Sequence, residues 1–216
     1  PFKGMNAVTL MQEVVQALNT FEAGELLGKE TEEIKVLLKE HKLSEKNKDL
    51  QDAICKVTHA ITRINAGVSD NVVPGTCEMT VDFRYPPGIH WEDLHKFIEN
   101  FFRLKLPVLH SEDRLKIHVL SHFEPSVWND WEGKREISLL SDIYAEIYGK
   151  EPFLGLFPGG ADAEFFRREG FCPKTVLFGA GNYEDAHDID ESLDLKDYFK
   201  FIEIYALFAY RFLKKH

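Results

Sequence analysis

The sequence predicts an α/β protein: a ferredoxin-like α/β sandwich, one strand short at its N-terminus, followed by a second portion that packs helices on sheet. Three observations carry this. The first 121 residues read as helix, strand, strand, helix, strand. After Ser121 amphipathic helices alternate with a short, wholly apolar run. The 216 residues are 44% hydrophobic and 12% aromatic, enough for a packed core.

Each element has its own signal. From Asn6, Val8, Leu10, Met11, Val14, Val15 and Leu18 recur at helical spacing, so a first helix runs to about Asn19. Glu25 to Leu50 is a charged stretch with apolar positions at Ile34, Leu37, Leu38 and Leu43, read as helical or helix-loop and solvated on most faces. Thr58, Ala60, Thr62, Ile64 and Thr76, Glu78, Thr80, Asp82 then flank the turn-rich Gly67-Val68-Ser69-Asp70-Asn71, which predicts two antiparallel strands. Pro86-Pro87-Gly88 ends the second. Trp91 to Leu104 is helical by spacing, and Leu115 to Leu120 alternates like a strand. The strand that would complete β-α-β-β-α-β lies before Pro1, where Pro1-Phe2-Lys3-Gly4 runs straight into helix with no initiator Met.

In the second portion Glu136 to Tyr148 predicts an amphipathic helix closed by Gly149. Pro158-Gly159-Gly160 leads through Asp162, a suitable N-cap, into a helix over Ala163–Arg168. Thr175 to Phe178, bounded by Pro173 and Gly179, reads as a buried strand. Leu195 to Leu213 is a final amphipathic helix. The expected division is 1–121 and 122–216.

Composition excludes several functions. With 26 Lys+Arg against 36 Asp+Glu, the net charge is −10, and no cationic cluster offers to neutralise phosphates. Neither nucleic acid nor an anionic membrane is expected as a partner. No apolar run approaches the ~18 residues of a membrane-spanning helix, and no signal peptide opens the chain. Cys55, Cys77 and Cys172 are odd in number and match no zinc-ligand spacing, consistent with reduced thiols in the cytoplasm.

Three motifs could carry chemistry. The loop Gly179 to Glu191 sets His187 among carboxylates after the apolar run, a donor mixture suited to a divalent cation, although composition alone favours a solvated acidic loop. Gly159-Gly160 ahead of a helix exposes backbone N–H groups that suit a carboxylate or developing oxyanion; an ordinary turn also accounts for it. Asn71, in the turn, and Arg84, on the returning strand, could converge on a substrate's polar end, the guanidinium gripping carboxylate bidentately, though Asn is common in turns. The chain lacks a Gly-x-Ser-x-Gly elbow and Cys172 has no His nearby in sequence, so nucleophilic catalysis is not expected.

In order and spacing these motifs resemble the dimetal amidohydrolase and peptidase family of acetylornithine deacetylases, succinyl-diaminopimelate desuccinylases, aminoacylases and glutamate carboxypeptidases. The matching stretches are Pro1 to Ala7, Ile64-Asn65-Ala66-Gly67 through Asn71-Val72-Val73-Pro74 to Val81-Asp82-Phe83-Arg84, Gly159 to Ala163, and Gly179 to Glu191 with Ala186-His187. The charged stretch from about Gly24 to Cys55 falls outside the resemblance.

The resemblance implies that residues 1–121 are a lid and dimerisation domain and that 122–216 are the returning half of a catalytic domain. A first catalytic half would carry the His-x-Asp motif, a bridging Asp, the Glu base and a further carboxylate ligand. His187 matches a metal-ligand histidine, and the cofactor implied is a pair of divalent ions, zinc by preference with cobalt or manganese as alternatives. Asn71 matches a residue that stabilises substrate or the tetrahedral intermediate, and Arg84 one that binds substrate, both acting across a dimer. Gly159 and Gly160 match the turn at the substrate's carboxylate end. His122 falls where some relatives bind carboxylate with Arg, and Glu191 is a residue that could support the metal ligand. The implied activity is hydrolysis of an N-acyl amino acid or small peptide bearing a free carboxylate, as a homodimer joined through the lid, with these 216 residues alone inactive. Phe2, Phe97, Phe101 and Phe102 are the expected apolar dimer residues. The alternatives are a non-catalytic dimerisation or binding module, and a dipeptidase or aminoacylase of the same family.

Overall fold

The computed structural model describes residues 5–28, 31–35, 54–126, 133–152, 154–155, 157, 160–168, 170–181 and 189–214. They form two compact units, Pro1–Pro125 and Ser126–His216.

In the first unit α1 spans Ala7–Leu18. Asn6 caps it, its Oδ1 accepting the Val8 N–H at 2.9 Å. Strands β1 (Thr58–Ala66) and β2 (Cys77–Arg84) pair antiparallel, from Thr58 opposite Arg84 to Ala66 opposite Cys77. The register slips between Ile61 and Arg63, a bulge at Thr62. The period of two along β2 sends Met79, Val81 and Phe83 against the helices and leaves Glu78, Thr80, Asp82 and Arg84 on the other face. Helix α2 (Trp91–Lys105) buries Leu94, Ile98 and Phe102, four residues apart each time. Its acidic first turn (Glu92, Asp93) and basic last turn (Arg103, Lys105) complement the helix dipole.

Phe21 organises the core. Its ring meets His59, Phe83, Phe97 and Phe101 edge-on at 5.1–5.7 Å between centroids. This corrects the expectation for the dimer face: Phe97 and Phe101 pack inward on Phe21, and Phe102 is buried, so none of the three is offered to a partner. Phe2 lies outside the described residues. A short helix α3 (Pro107–Ser111), begun by proline at its first position, follows α2 and was not foreseen.

Leu115 to Leu120 departs from expectation. Leu115 and Ile117 turn toward the core while Lys116 and His118 are exposed, so the alternation is real. Yet the residues join no ladder, and β1–β2 is the whole sheet among the described residues. A strand needs a neighbour for its N–H and C=O groups, and none is present there. Of the expected helical stretch from Glu25, Gly24–Leu26 form a 3₁₀ turn, residues 31–35 are helical, and 36–53 lie outside the described residues.

In the second unit α4 (Arg135–Tyr148) ends at Gly149, whose φ of 69° is the left-handed conformation that lets the chain leave a helix. Helix α5 spans Ala163–Arg168, and α6 spans Leu195–Leu213 with Asp194 capping the Lys196 N–H at 2.8 Å. Helices α4 and α6 run antiparallel. Tyr148, at the end of one, donates to Asp197 at the start of the other (3.0 Å), and Arg135, at the start, donates to the Phe212 carbonyl at the end (3.1 Å). Between them Arg211 grips Glu146 with two hydrogen bonds, 2.8 and 3.1 Å. Thr175 to Phe178, expected as a buried strand, forms no ladder, and Val176 and Leu177 are exposed. Phe178 rests on Phe201 of α6 instead, and the Tyr205 hydroxyl donates to its carbonyl. The outer side of α6 presents Leu195, Phe199, Ile202 and Leu213 to solvent. No helix among the described residues is long and apolar enough to cross a membrane.

Desolvation and the hydrogen bond to Asp197 push the Tyr148 phenol up to about 12. A phenol whose folded value exceeds its unfolded one stabilises the fold fully below pH 10 and loses that contribution as pH rises toward 12. The phenolate absorbance of the native chain should therefore show a step near pH 12 that Tyr148→Phe removes. Persistence of that step in the variant would refute the assignment.

Candidate functional site

The hairpin carries the two lid candidates, and its geometry separates them. Asn71 lies in the connection 67–76, where the Ser69 hydroxyl donates to its Oδ1 at 2.9 Å. The loop is braced at both ends: Gly67 takes a φ of 80°, and the Pro74 carbonyl accepts the Ala7 N–H at 3.0 Å, joining loop to α1. Val68, Val72 and Val73 beside Asn71 are exposed. Arg84 closes β2 at the other end of the hairpin, opposite Thr58.

Seven strand steps separate Cys77 from Arg84, about 24 Å at 3.4 Å per residue. Within one lid the length of β2 thus lies between the loop that holds the amide and the strand end that holds the guanidinium. Thirteen residues is a short distance in a helix or coil, but a strand converts it into length. Arg84 Nε pairs with Asp82 Oδ2 at 2.7 Å, both side chains about half exposed. That pairing leaves the Nη1/Nη2 edge as the fork a second carboxylate would take.

His122 lies at the Arg84 end. The residue after Arg84, Tyr85, donates its hydroxyl to the carbonyl of Phe123 at 2.8 Å, and the His122 ring stacks on Trp91. This fastening was missed in the sequence. The signal for it is a helix start at Trp91 behind His90, a residue that makes no side-chain cap here.

In the second unit Gly160 is exposed ahead of α5, and Gly159 lies outside the described residues. Arg167 of α5 donates through Nε to Ser126 Oγ (3.1 Å) and through Nη1 to the Thr175 carbonyl (2.7 Å). Burial pulls its guanidinium below the ordinary value, against the pull of Glu164. Glu164, buried in the first turn, faces Arg168 at 3.5 Å. His187 lies outside the described residues; Glu191, exposed, lies between the acidic loop and α6. Among the described residues no three His, Cys, Asp or Glu side chains gather in a way that could hold a metal. The described residues do not by themselves fit a two-metal centre.

Residues 1–109, which include the hairpin and helices α1 and α2, match the model of the M20 family described as "Peptidase dimerisation domain". The chain belongs to the M20 peptidase family. Among its relatives, a probable succinyl-diaminopimelate desuccinylase of Staphylococcus aureus (strain MRSA252) is 28% identical over 165 residues, 76% of this chain and 37% of the relative. The human N-fatty-acyl-amino acid synthase/hydrolase PM20D1 is 33% identical over 159 residues, 69% of this chain and 29% of that protein. Among solved structures, the M20 family metallo-carboxypeptidase Sso-CP2 of Sulfolobus solfataricus superposes with a TM-score of 0.65 at 16% identity. That match covers 95% of this chain and 52% of the carboxypeptidase, and at that identity it speaks for the fold. The chain thus spans about a third of the curated relatives it matches and about half of the solved one. The family resemblance and the mixed helix–sheet fold with its small antiparallel sheet are both borne out.

Proposed function

We propose that these residues are the lid and the returning catalytic half of an M20 hydrolase that cleaves an amide bond in an N-acyl amino acid or small peptide with a free carboxylate. The observation that carries this is the M20 dimerisation match over a hairpin that ends in a solvent-facing arginine. Arg84 grips the substrate carboxylate, with His122 at the same end of the lid, and Gly159 and Gly160 are assigned to substrate binding through backbone donors. His187 is assigned as a metal ligand, supported by Glu191; zinc, cobalt or manganese in a pair suits the family. The 216 residues alone are proposed to be a dimerisation module without turnover. The named activities of the relatives, a desuccinylase and an N-acyl amino acid hydrolase among them, support the acyl-amino acid class over a dipeptidase.

The separation of Asn71 and Arg84 gives the proposal its dimer. Two groups with the length of β2 between them on one hairpin serve one small substrate only if different lids supply them. Among the described residues no strand pairs with the outer edge of β1, which suits lid-to-lid pairing, and Ile61 and Ile64 beside it are 36% and 51% exposed. The full-length protein should sediment as a dimer. When Asn71→Ala and Arg84→Ala chains are mixed and allowed to exchange, half of the dimers are hybrids with one intact site each. Activity should then recover to about a quarter of the unmodified enzyme in a two-fold dimer. No recovery on mixing would overturn the shared site.

A further inference from the structure

The stretch Ser121–Pro125 has no regular secondary structure, yet three successive residues in it are held. The His122 ring stacks on the Trp91 indole, 5.3 Å between centroids and 14° between planes, and His95 stacks on the same indole at 5.3 Å. The Phe123 carbonyl accepts the Tyr85 hydroxyl at 2.8 Å. Glu124 Oε1 accepts the backbone N–H of Trp91 at 2.8 Å, across 33 positions of sequence.

The last contact explains a gap in α2. A helix leaves its first N–H groups without partners, and the residue at its N-cap ordinarily supplies one. His90 holds that place and makes no side-chain cap. The carboxylate of Glu124 meets the N–H of the first helical residue and brings negative charge to the positive end of the dipole. One side chain thus both closes the helix and ties down the outgoing chain. The other two ties come from Trp91 itself and from Tyr85, the residue after β2.

We infer that His122–Glu124 is a strap that ends the lid as a cooperative clasp. Cooperativity separates a clasp from three unrelated contacts, and amide exchange reads it at one atom. In the unmodified chain the Trp91 N–H, bonded to Glu124 Oε1, should exchange slowly. Glu124→Ala should speed that exchange about tenfold, the effect of losing a helix cap. Glu124→Gln, which keeps an acceptor without the charge, should fall between. Tyr85→Phe does not touch the Trp91–Glu124 hydrogen bond, yet it should speed Trp91 exchange about threefold by loosening the strap, the effect of losing one hydrogen bond. It should also expose the bond after Phe123 to chymotrypsin. The Ile98 amide, deeper in α2, should keep its rate in all three and so report that the lid remains folded. Unchanged Trp91 exchange in Tyr85→Phe would overturn the clasp, and unchanged exchange in Glu124→Ala would overturn the cap.

Discussion

Leu94→Ala should lower the stability of the lid by about 2–5 kcal/mol, the range for emptying a leucine site in a packed core. Leu94 has no exposed surface and sits with Leu18, Phe21, Ile98 and Phe102 where α1, α2 and the sheet meet. Close-packed neighbours relax only partly around a shortened side chain, so a cavity remains. Leu104, on the same helix, is 76% exposed, and Leu104→Ala should change stability by about 0.5 kcal/mol or less. Chemical denaturation of the two variants side by side is the measurement. Equal midpoints would mean that the lid's core is elsewhere.

Arg84→Ala in the full-length enzyme should lower kcat/KM by about tenfold or more, since losing one partner of a desolvated charged hydrogen bond costs about 2–5 kcal/mol. Stability should hardly move. The Arg84–Asp82 pair is 60% and 45% exposed, and exposed pairs of this kind contribute about 1 kcal/mol at most. The two roles are therefore separable in one variant. A catalytic loss with an unchanged melting temperature supports substrate binding. A lowered melting temperature with intact specific activity reduces Arg84 to a partner of Asp82 and removes it from the site.

The elements that could be read in the sequence are those whose signal is local. Asn6 and Asn19 bracket α1, Gly149 closes α4, and the spacing of Leu94, Ile98 and Phe102 marks α2. Hairpin pairing was equally legible, because two β-rich runs met across one turn. Leu115 to Leu120 and Thr175 to Phe178 failed for a common reason. Alternation and apolarity are properties of the segment, whereas a strand is a property of the segment and its neighbour. Phe97 and Phe101 show a further limit. Their helical spacing was clear, but which of them faces inward depended on Phe21, 76 residues before Phe97 in the chain and invisible to any periodicity. For the candidate site, residue types were legible and distances were not: Asn71 in the turn and Arg84 on the returning strand could be read, but the length of β2 between them comes from the hairpin register.

The uncovered side of α6 has a practical consequence for anyone handling this polypeptide. Leu195, Phe199, Ile202 and Leu213 form an oily ridge on α6, with Ile204 fully buried on the opposite side. Fluorescent probes such as ANS, whose emission rises on apolar surface, will light up on the native chain. That response is usually taken as the mark of a molten globule. Here it would coexist with rigid aromatic packing and a full near-ultraviolet dichroism spectrum. Dye-based thermal shifts would start from a bright baseline and understate the transition, so unfolding is better followed through the tryptophans.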